Sequence, residues 1–550
     1  MADVVIRGGM VIDGTGAPAR RADVGITGGV ISDIDDRVDG TRVLDASGHV
    51  VTPGFIDIHT HYDAQVFWDP GLTPSSFHGV TTVIAGNCGF SIAPVRPEHR
   101  DLLVRTLQHV EDMQPDTLFA GVPWEDFETF PQYLDAVESR GTVLNYGCYI
   151  GHTALRLWVM GDEGYEREAT DDELRKMQGV IAEALDAGAA GFASSSSPTH
   201  SGAKGKPVPS RIADMREMRS LLEPMQQARW GVVALLPGET IKHSDVFELQ
   251  RIAGRPLTWT ALLTVKGYPW HEKIMEQNVA ERAGGAQVWP QVSCRPLVFQ
   301  MNLREPFTLN MRDSFKELMD TTEAERIAAY RDPAWRERAW KELGGGGFGM
   351  NWDSLKVAES ATHPDLINRS IPDIAAEKGC TPLDVMLDIS LSENLDTRFW
   401  SVLANNDEDA IAWLLPQDTV LLGLADSGAH VSQLCDACFA TDLLGNWVRD
   451  RDVMPLEHAV HKLTGEPAGV YGMSDRGTLE VGKAADICAF DADTVAPGPL
   501  RRVRDFPANG ERLTADEPIG VRHVLVNGTP IRVDGESVTS SKRPGTVLRG

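Results

Sequence analysis

Short apolar runs alternate with amphipathic stretches along most of the 550-residue chain. Runs such as 82–85, 231–236 and 419–424 are rich in Val, Ile and Leu, which is typical of buried strands. Stretches such as 171–187 and 455–464 space their apolar residues at helical intervals, which predicts helices. Strands and helices that alternate over roughly four hundred residues favour a parallel α/β fold, and we expect a (β/α)8 TIM barrel.

The two ends of the chain have a different pattern, in which short β-like runs are separated by glycine turns. This pattern occupies residues 1–50 and returns at 485–490 and 521–528. It is typical of antiparallel sheets. We therefore predict a small β-sandwich built from residues 1–53 and 476–550, with the barrel spanning 54–475 between its two halves.

Residues 285–355 interrupt the alternation of predicted strands and helices. They are rich in Trp, Arg and Pro and end near Gly344–Gly347. We predict an insertion between barrel elements over this range. Two interpretations are open for it. It is a lid or an interface in which the glycines act as a hinge, or it is a flexible connector.

The composition narrows the class of protein. A net charge of −27 disfavours nonspecific binding to nucleic acid or anionic lipid. The N-terminus lacks a signal-peptide pattern, and no apolar run reaches the length of a membrane span. We therefore expect a cytoplasmic protein that acts on a small molecule, without nucleic-acid or membrane partners, and that could form a homo-oligomer. The seven scattered cysteines do not form a disulfide framework.

Two histidines follow the first strand predicted for the barrel, in which Phe55, Ile56 and Ile58 are the apolar positions. His59 and His61 are two residues apart, so on a strand their side chains point to the same side. Two imidazoles aimed at one point are the arrangement that metal ligands need. The alternative is a pair of ordinary polar residues at a strand edge.

Two further candidate ligands follow later apolar runs. Cys88 lies between glycines on a predicted turn, and a thiolate is a good zinc ligand. Its alternative is a small buried side chain. Asp426 follows the last apolar strand, so its carboxylate could both bind a metal and take a proton from water. Its alternative is a helix N-cap.

Three more polar residues are candidates for catalysis or substrate binding. His152 ends an apolar run and could polarise a substrate carbonyl, or it could simply cap a helix. Arg156 could bind a substrate carboxylate through both of its terminal nitrogens, or it could form a structural ion pair. His430 is a candidate substrate-binding residue, with a plain loop role as its alternative.

These motifs together resemble the D-aminoacylase (N-acyl-D-amino-acid deacylase) branch of the amidohydrolase superfamily. The matching segments occur in the family's order: Pro53–His61, Gly86–Phe90, Gly151–Arg156 with Met160-Gly161 after it, Asp426, His461–Ala468, Asp475–Gly477 and Val481–Asp486. The resemblance implies a metal-bearing (β/α)8 barrel, a β-sandwich from both termini, and hydrolysis of an amide on an acylated D-amino acid. It also implies that His59, His61, Cys88 and Asp426 are metal ligands and that Asp426 is the general acid/base.

The sequence departs from that family at the second metal site. The resemblance places metal-binding histidines at the ends of the fifth and sixth strands, where this chain has Leu235-Leu236 and Thr260-Ala261. We therefore expect a degenerate second site and one zinc ion at most, unless another residue moves in; the candidates are Glu239, His243 and His271. Ser194–Ser197 also replace an expected tyrosine, which predicts a different substrate pocket.

These observations predict a metal-dependent hydrolase of a non-peptide, amide-type C–N bond, similar to N-acyl-D-amino-acid deacylases. Water activated by the metal would be the nucleophile, Asp426 the general acid/base, and His152 a donor to the developing oxyanion. Two alternatives stay open. The first is a one-metal enzyme on the same scaffold that acts on a different bond, such as a C–C bond or a cyclic amide. The second is a non-catalytic binding relative.

Overall fold

The structure, a computed structural model, describes residues 1–202, 205–319, 321–344, 351–538 and 542–550. Eight parallel strands form a closed barrel in the middle of the chain, which confirms the predicted (β/α)8 fold. In chain order, barrel strands 1 to 8 are Phe55–Asp57, Val80–Ala85, Asn145–Cys148 with Ile150–Gly151, Gly191–Ser195, Val232–Leu236, Leu257–Trp259, Val288–Val292 and Leu421–Leu422.

The barrel closes just beyond the ends of strands 1 and 8. Thr60 and Ser427 form a parallel bridge there. The backbone N–H of His61 donates to the carbonyl oxygen of Ser427 at 2.7 Å. Closure therefore takes place at the mouth of the barrel, where the polar side chains that follow strands 1 and 8 meet.

Helices connect the barrel strands and bury one apolar face against them. In Asp171–Asp186 the buried apolar residues recur at helical spacing: Leu174, Met177, Ile181, Ala184 and Leu185. Thr170 caps this helix by accepting a hydrogen bond from the backbone N–H of Glu173. The other helices of the barrel layer are Arg100–Glu111, Pro115–Gly121, Phe130–Arg140, His152–Met160, Met215–Leu222, Val246–Ala253, Trp270–Ala283, Glu408–Leu414, Phe439–Asp442, Leu456–Leu463 and Gly465–Tyr471. Among the described helices, none combines the length and apolarity needed to cross a bilayer.

A nine-stranded sheet at the two ends of the chain folds into the predicted β-sandwich. Its strands are Ala2–Val11, Arg20–Thr27, Val30–Asp35, Gly40–Asp45, Val50–Pro53, Ile487–Phe490, Val521–Val526, Thr529–Val533 and Glu536–Ser537. Val50–Pro53 pairs antiparallel with Ile487–Phe490, which joins the N-terminal and C-terminal halves. Since barrel strand 1 begins two residues after Pro53, this pairing anchors the entry to the barrel.

The C-terminal segment does more than complete the sandwich. The hairpin of Arg501–Phe506 and Gly510–Thr514 lies at the barrel mouth, where the backbone N–H of Leu513 donates to the Val431 carbonyl at 2.7 Å. Residues 545–547 pair with strand 3 and the residues before it. The predicted assignment of all of 476–550 to the sandwich is therefore too simple, because these β-like runs resemble sandwich strands in sequence but find partners on the barrel.

The insertion lies between barrel strands 7 and 8 and has a core of its own. It contains a three-stranded antiparallel sheet of Leu297–Met301, Lys356–Glu359 and Arg398–Ala404. Its helices are Asp313–Lys316, Glu323–Arg331, Pro333–Leu343, Ile371–Lys378 and Pro382–Ser392. Aromatic side chains such as Phe315, Tyr330 and Trp335 fill its core.

The predicted limits of this insertion, 285–355, are wrong at both ends. Val288–Val292 pairs as barrel strand 7, and the strands 356–359 and 398–404 belong to the inserted sheet. The error arose because composition marks only the first half of the insertion as unusual. Of the predicted glycine hinge, residues 345–347 lie outside the described residues.

Removal of the C-terminal tail is expected to destabilise the barrel. Deletion of residues 542–550 breaks three backbone hydrogen bonds, in which Gly545 and Leu548 donate to Thr142 and Tyr146 and Tyr146 donates to Thr546. At about 1 kcal/mol each, the unfolding free energy should fall by about 3 kcal/mol, measured by urea denaturation. Arg549→Ala serves as the control, because it removes ion pairs with Asp135 and Glu138 and one hydrogen bond to the Ala187 carbonyl but leaves the three backbone hydrogen bonds of the tail in place. An unchanged midpoint in the truncated chain would show that the tail is not part of the barrel fold.

Candidate metal centre

Asp57 and Ser427 bring the ends of barrel strands 1 and 8 together. The Ser427 hydroxyl donates to one carboxylate oxygen of Asp57 at 2.7 Å, across 370 residues of chain. The other oxygen of Asp57 accepts from the backbone N–H of His59 at 3.1 Å. All three side chains are buried. Because Asp426 precedes Ser427 directly, this contact places its carboxylate beside the histidines of strand 1.

Asp426 meets both histidines at a single oxygen. Its Oδ1 lies 3.1 Å from Nε2 of His59 and 3.4 Å from Nε2 of His61. The two imidazole rings are 5.5 Å apart between centroids and are tilted by 50°. Three predicted ligands, two from strand 1 and one after strand 8, therefore converge at the carboxyl end of the barrel.

Cys88 completes the group from the turn after barrel strand 2. Its Sγ lies 3.8 Å from Nε2 of His59, and the ligating atoms of His59, His61 and Cys88 all lie within 4.8 Å of one another. The Asn87 side chain holds the turn by donating to carbonyl oxygens of strands 1 and 2. Cys88 has a φ of 56°, a left-handed conformation that costs a non-glycine residue energy. Strain of this kind persists at sites where the surroundings impose it, and such sites are often functional.

The protein also holds the far side of each imidazole. Nδ1 of His59 donates to Oε1 of Gln291 at 2.8 Å, and the Thr260 hydroxyl lies 3.1 Å from the same nitrogen. Nδ1 of His61 lies 3.1 Å from a carboxylate oxygen of Glu111. Histidines that bind metals commonly donate their second N–H in this way, which fixes the tautomer and leaves Nε2 as the ligand. Neither Gln291 nor Glu111 was predicted, because neither has a sequence spacing that relates it to the histidines.

The pKa shifts of these side chains show that the site favours positive charge. Burial alone would lower the pKa of His59, but hydrogen bonds with Asp426 and Cys88 outweigh burial and raise the pKa to about 10. Burial would also lower the pKa of His61, but Glu111 and Asp426 outweigh burial and raise that pKa. Burial would raise the pKa of Asp426, yet the two imidazoles hold it well below its usual value. The buried carboxylates thus favour positive charge at this point, and a bound cation would supply it.

The donor set fits a zinc ion in its chemistry. Imidazole nitrogen, thiolate sulfur and carboxylate oxygen are the ligands that zinc takes in proteins. Within the part of the chain that the structure describes, His59, His61 and Cys88 are the group of ligands close enough to share an ion. Asp426 lies outside that group of three, but its Oδ1 is close enough to both histidines, at 3.1 Å and 3.4 Å, to be a candidate fourth donor.

His152 and Arg156 are not brought to this group, because both bind Glu217. Nε2 of His152 lies 2.8 Å from one Glu217 oxygen, and the Arg156 guanidinium donates to the other. Nδ1 of His152 contacts Ser194 at 2.8 Å, and all three side chains of the Glu217 cluster are fully buried. For Arg156 the structure shows the alternative interpretation, a structural ion pair. His152 has both ring nitrogens occupied, so no nitrogen faces a substrate.

His430 lies with Asp426 on the wall of one cavity. The loop that carries both residues is strained, since Leu424, Asp426 and His430 have φ values of 55°, 48° and 46°. The ring of His430 packs edge-on against Phe299 of the insertion, with centroids 4.8 Å apart. The position of His430 is compatible with substrate binding, which stays a prediction.

The residues that could have replaced the second group of ligands have other partners. Glu239 pairs with Arg211. His243 packs against Trp259 and Trp270, and His271 packs against Trp413. The ends of barrel strands 5 and 6 thus keep Leu235-Leu236 and Thr260-Ala261, and none of these three candidates is shown to replace them.

Comparison with known proteins finds relatives over the whole chain. Residues 42–233 and 350–532 match the amidohydrolase family. The chain is 29% identical to an N-acyl-D-glutamate deacylase of Alcaligenes xylosoxydans xylosoxydans, covering 100% of this chain and 96% of the relative.

Two solved structures cover 100% of both chains. One is a D-aminoacylase with a binuclear metal centre, described as activated by one metal and attenuated by a second; it is 26% identical, with a TM-score of 0.69. The other is an N-acyl-D-glutamate deacylase of Bordetella bronchiseptica in complex with zinc and a phosphonate inhibitor, at 25% identity and a TM-score of 0.67.

Glu217→Gln is expected to destabilise the protein strongly, because it leaves Arg156 charged and buried without a counter-charge. Loss of one partner of a buried pair costs about 3–5 kcal/mol, which urea denaturation at neutral pH would detect. Glu248→Gln, the same change in an exposed pair with Arg219, should leave the midpoint nearly unchanged.

The loss of stability in Glu217→Gln should become smaller at low pH. Burial would raise the pKa of Glu217, but His152 and Arg156 outweigh burial and lower that pKa from 4.5 to about 2. The folded state therefore gains stability from Glu217 above pH 4.5 and loses it as pH falls towards about 2. The gap between wild type and Glu217→Gln should narrow in that range. A gap that stays constant would contradict an ionised Glu217.

Proposed function

We propose, since the chain belongs to the amidohydrolase family, that it is a metal-dependent hydrolase of an amide-type C–N bond, of the N-acyl-D-amino-acid deacylase kind. One observation carries the proposal: a single carboxylate oxygen of Asp426 lies 3.1 Å and 3.4 Å from the Nε2 atoms of His59 and His61. We assign His59, His61, Asp426 and Cys88 as ligands of one zinc ion. When bound, zinc polarises a carbonyl and lowers the pKa of water from about 16 to about 7.

Asp426 is the group placed to move protons. The imidazoles keep its pKa low, so it is a carboxylate at neutral pH and can accept a proton from the attacking water. Its position on the wall of the cavity lets the same carboxylate return the proton to the leaving nitrogen. Gln291 and Glu111 act through the histidines, since each accepts the Nδ1 proton and so keeps Nε2 directed at the reaction site.

His152 enters this proposal as a positioning residue and no longer as a donor to the oxyanion. It contacts Ser194 at the end of barrel strand 4 and Glu217 on the helix Met215–Leu222. Its burial lowers its pKa, so the ring is neutral at neutral pH. We assign the substrate-facing role to His430 instead, because it shares the cavity wall with Asp426.

A single ion is part of the proposal. Leu235, Leu236 and Ala261 offer no ligand atoms at the ends of strands 5 and 6, and the Thr260 hydroxyl is directed at His59. A one-ion reaction has a parallel in the related D-aminoacylase described as activated by one metal.

Metal content and amide hydrolysis test the proposal together. Purified protein, stripped with a chelator and reloaded, should hold about one zinc ion per chain by elemental analysis. His59→Ala and Asp426→Ala should each weaken zinc binding by at least about 100-fold and abolish release of amine from N-acylated substrates. His458→Ala, a change of a histidine at the surface beside Asp418, is the matched control and should behave as wild type.

Two results would contradict the proposal. Full amidase activity without metal would exclude the assigned mechanism. Stable binding of zinc without cleavage of any amide in a panel of N-acyl-D-amino acids and neutral amides would favour a different bond as the target.

A further inference from the structure

A cavity of about 140 Å³ opens beside Asp426 at the barrel mouth. Barrel loops supply one apolar wall, through Leu236, Ala261, Leu263 and Leu424. The insertion supplies the facing wall, through Leu297, Phe299, Met311 and Leu403. The remaining lining residues are polar but, apart from Asp426, carry no carboxylate: Ser197, Thr199, His200, Thr260, Thr308 and His430.

We infer, resting on the proposed amide hydrolysis but departing from the N-acyl-D-amino acids named for the relatives, that the substrate is a neutral amide. It places one uncharged apolar group in this cavity and carries no carboxylate next to the scissile bond. An apolar cavity of about 150 Å³ holds a benzene ring, so a branched aliphatic chain or a single aromatic ring suits the space. An N-acyl-amino acid would have to bury its free carboxylate here, which three features of the site disfavour.

The first reason is that no permanently cationic side chain is among the described residues of the cavity wall, whose basic side chains are the histidines His200 and His430. Among its described lining residues, none is Lys or Arg. Arg211 donates to the carbonyl of His200, behind the wall, but its guanidinium is held by Glu239. Arg156 is held by Glu217 and by two backbone carbonyls. Both guanidinium groups are thus committed to partners within the protein, and a buried carboxylate without a partner is strongly disfavoured.

The second reason is the acidic side chains already placed at the proposed centre. Asp426 lies 3.1 Å and 3.4 Å from the two histidines, and Glu111 lies 3.1 Å from His61 on its other side. A substrate carboxylate held at this centre would therefore lie beside two acidic side chains of the protein.

The third reason is the charge state of His200, one of the polar side chains on the cavity wall. Its Nδ1 contacts the Ser195 hydroxyl at 2.7 Å, and its ring packs edge-on against Phe90, with centroids 4.9 Å apart. Burial lowers the pKa of His200 to about 3, so the ring lines the cavity as a neutral group. A neutral imidazole can hydrogen-bond an amide but provides no charge for a carboxylate.

A matched pair of substrates tests the inference directly. N-Acetyl-D-leucine and N-(3-methylbutyl)acetamide share the acetamide and the branched chain, and they differ only in the carboxylate. With the zinc-loaded enzyme, kcat/KM for the neutral amide should exceed that for the acid by at least roughly 100-fold. A preference for the acid would overturn the inference while leaving the proposed hydrolysis intact.

Binding of non-hydrolysable analogues separates the two claims. The methanesulfonamides of D-leucine and of 3-methylbutylamine replace the two acetamides, and calorimetry measures their dissociation constants on the same holoenzyme. Tighter binding of the neutral sulfonamide by at least about 10-fold supports the inference even if neither acetamide is cleaved, in which case the proposed function fails alone. Equal binding, or tighter binding of the acid, overturns the inference.

A cation placed in the wall should weaken the preference for the neutral amide. Leu263→Lys introduces an ammonium group into the apolar wall, and we expect the ratio of kcat/KM between neutral amide and acid to fall by at least about 10-fold. Leu263→Met, which keeps the wall uncharged at similar volume, should retain the wild-type ratio. An unchanged ratio in a folded, zinc-binding Leu263→Lys protein would show that charge on this wall does not select the substrate.

Discussion

The contact between Asp57 and Ser427 is the constraint on which the candidate centre depends. Asp57 ends barrel strand 1, and its two carboxylate oxygens bind the backbone of His59 and the hydroxyl of Ser427. The contact is fully buried, where a lost hydrogen bond leaves a polar group unpaired at a cost of about 1–3 kcal/mol. It therefore joins the first and last strands in one register. That register sets Asp426 against the imidazoles, although its carboxylate and theirs come from opposite ends of the barrel sequence.

Buried side chains around this contact hold the two histidines and the loop that carries Asp426 in place. Gln291 accepts from His59 and also from the backbone N–H of Leu424, so the same amide orients a ligand and holds the loop that carries Asp426. Glu111 does the equivalent for His61. The insertion adds the outer layer, because its first strand supplies Phe299 against His430 and part of the cavity wall. The proposed metal centre and the proposed substrate cavity are thus built by different parts of the chain around the contact between Asp57 and Ser427.

The sequence predicted the parts of the centre that follow from strand geometry. His59 and His61 are recognisable because alternate residues of a strand share a side, and Asp426 because barrel sites collect at the carboxyl ends of strands. The partners of these residues could not be found in this way. Glu111 ends a helix, Gln291 lies inside an apolar strand, and Glu217 is 61 residues from Arg156; only the folded chain brings them to their partners. The same reason explains the insertion, whose second half has ordinary composition and whose strands pair over long distances.

The most direct measurement is a crystal structure of the zinc-loaded protein with anomalous diffraction collected at the zinc absorption edge. The account predicts one anomalous peak, about 2.0–2.3 Å from Nε2 of His59, Nε2 of His61 and a carboxylate oxygen of Asp426, with Cys88 Sγ alongside. A peak that lies elsewhere, or an Asp426 carboxylate turned away from the ion while the histidines bind it, would contradict the convergence from which the function was proposed.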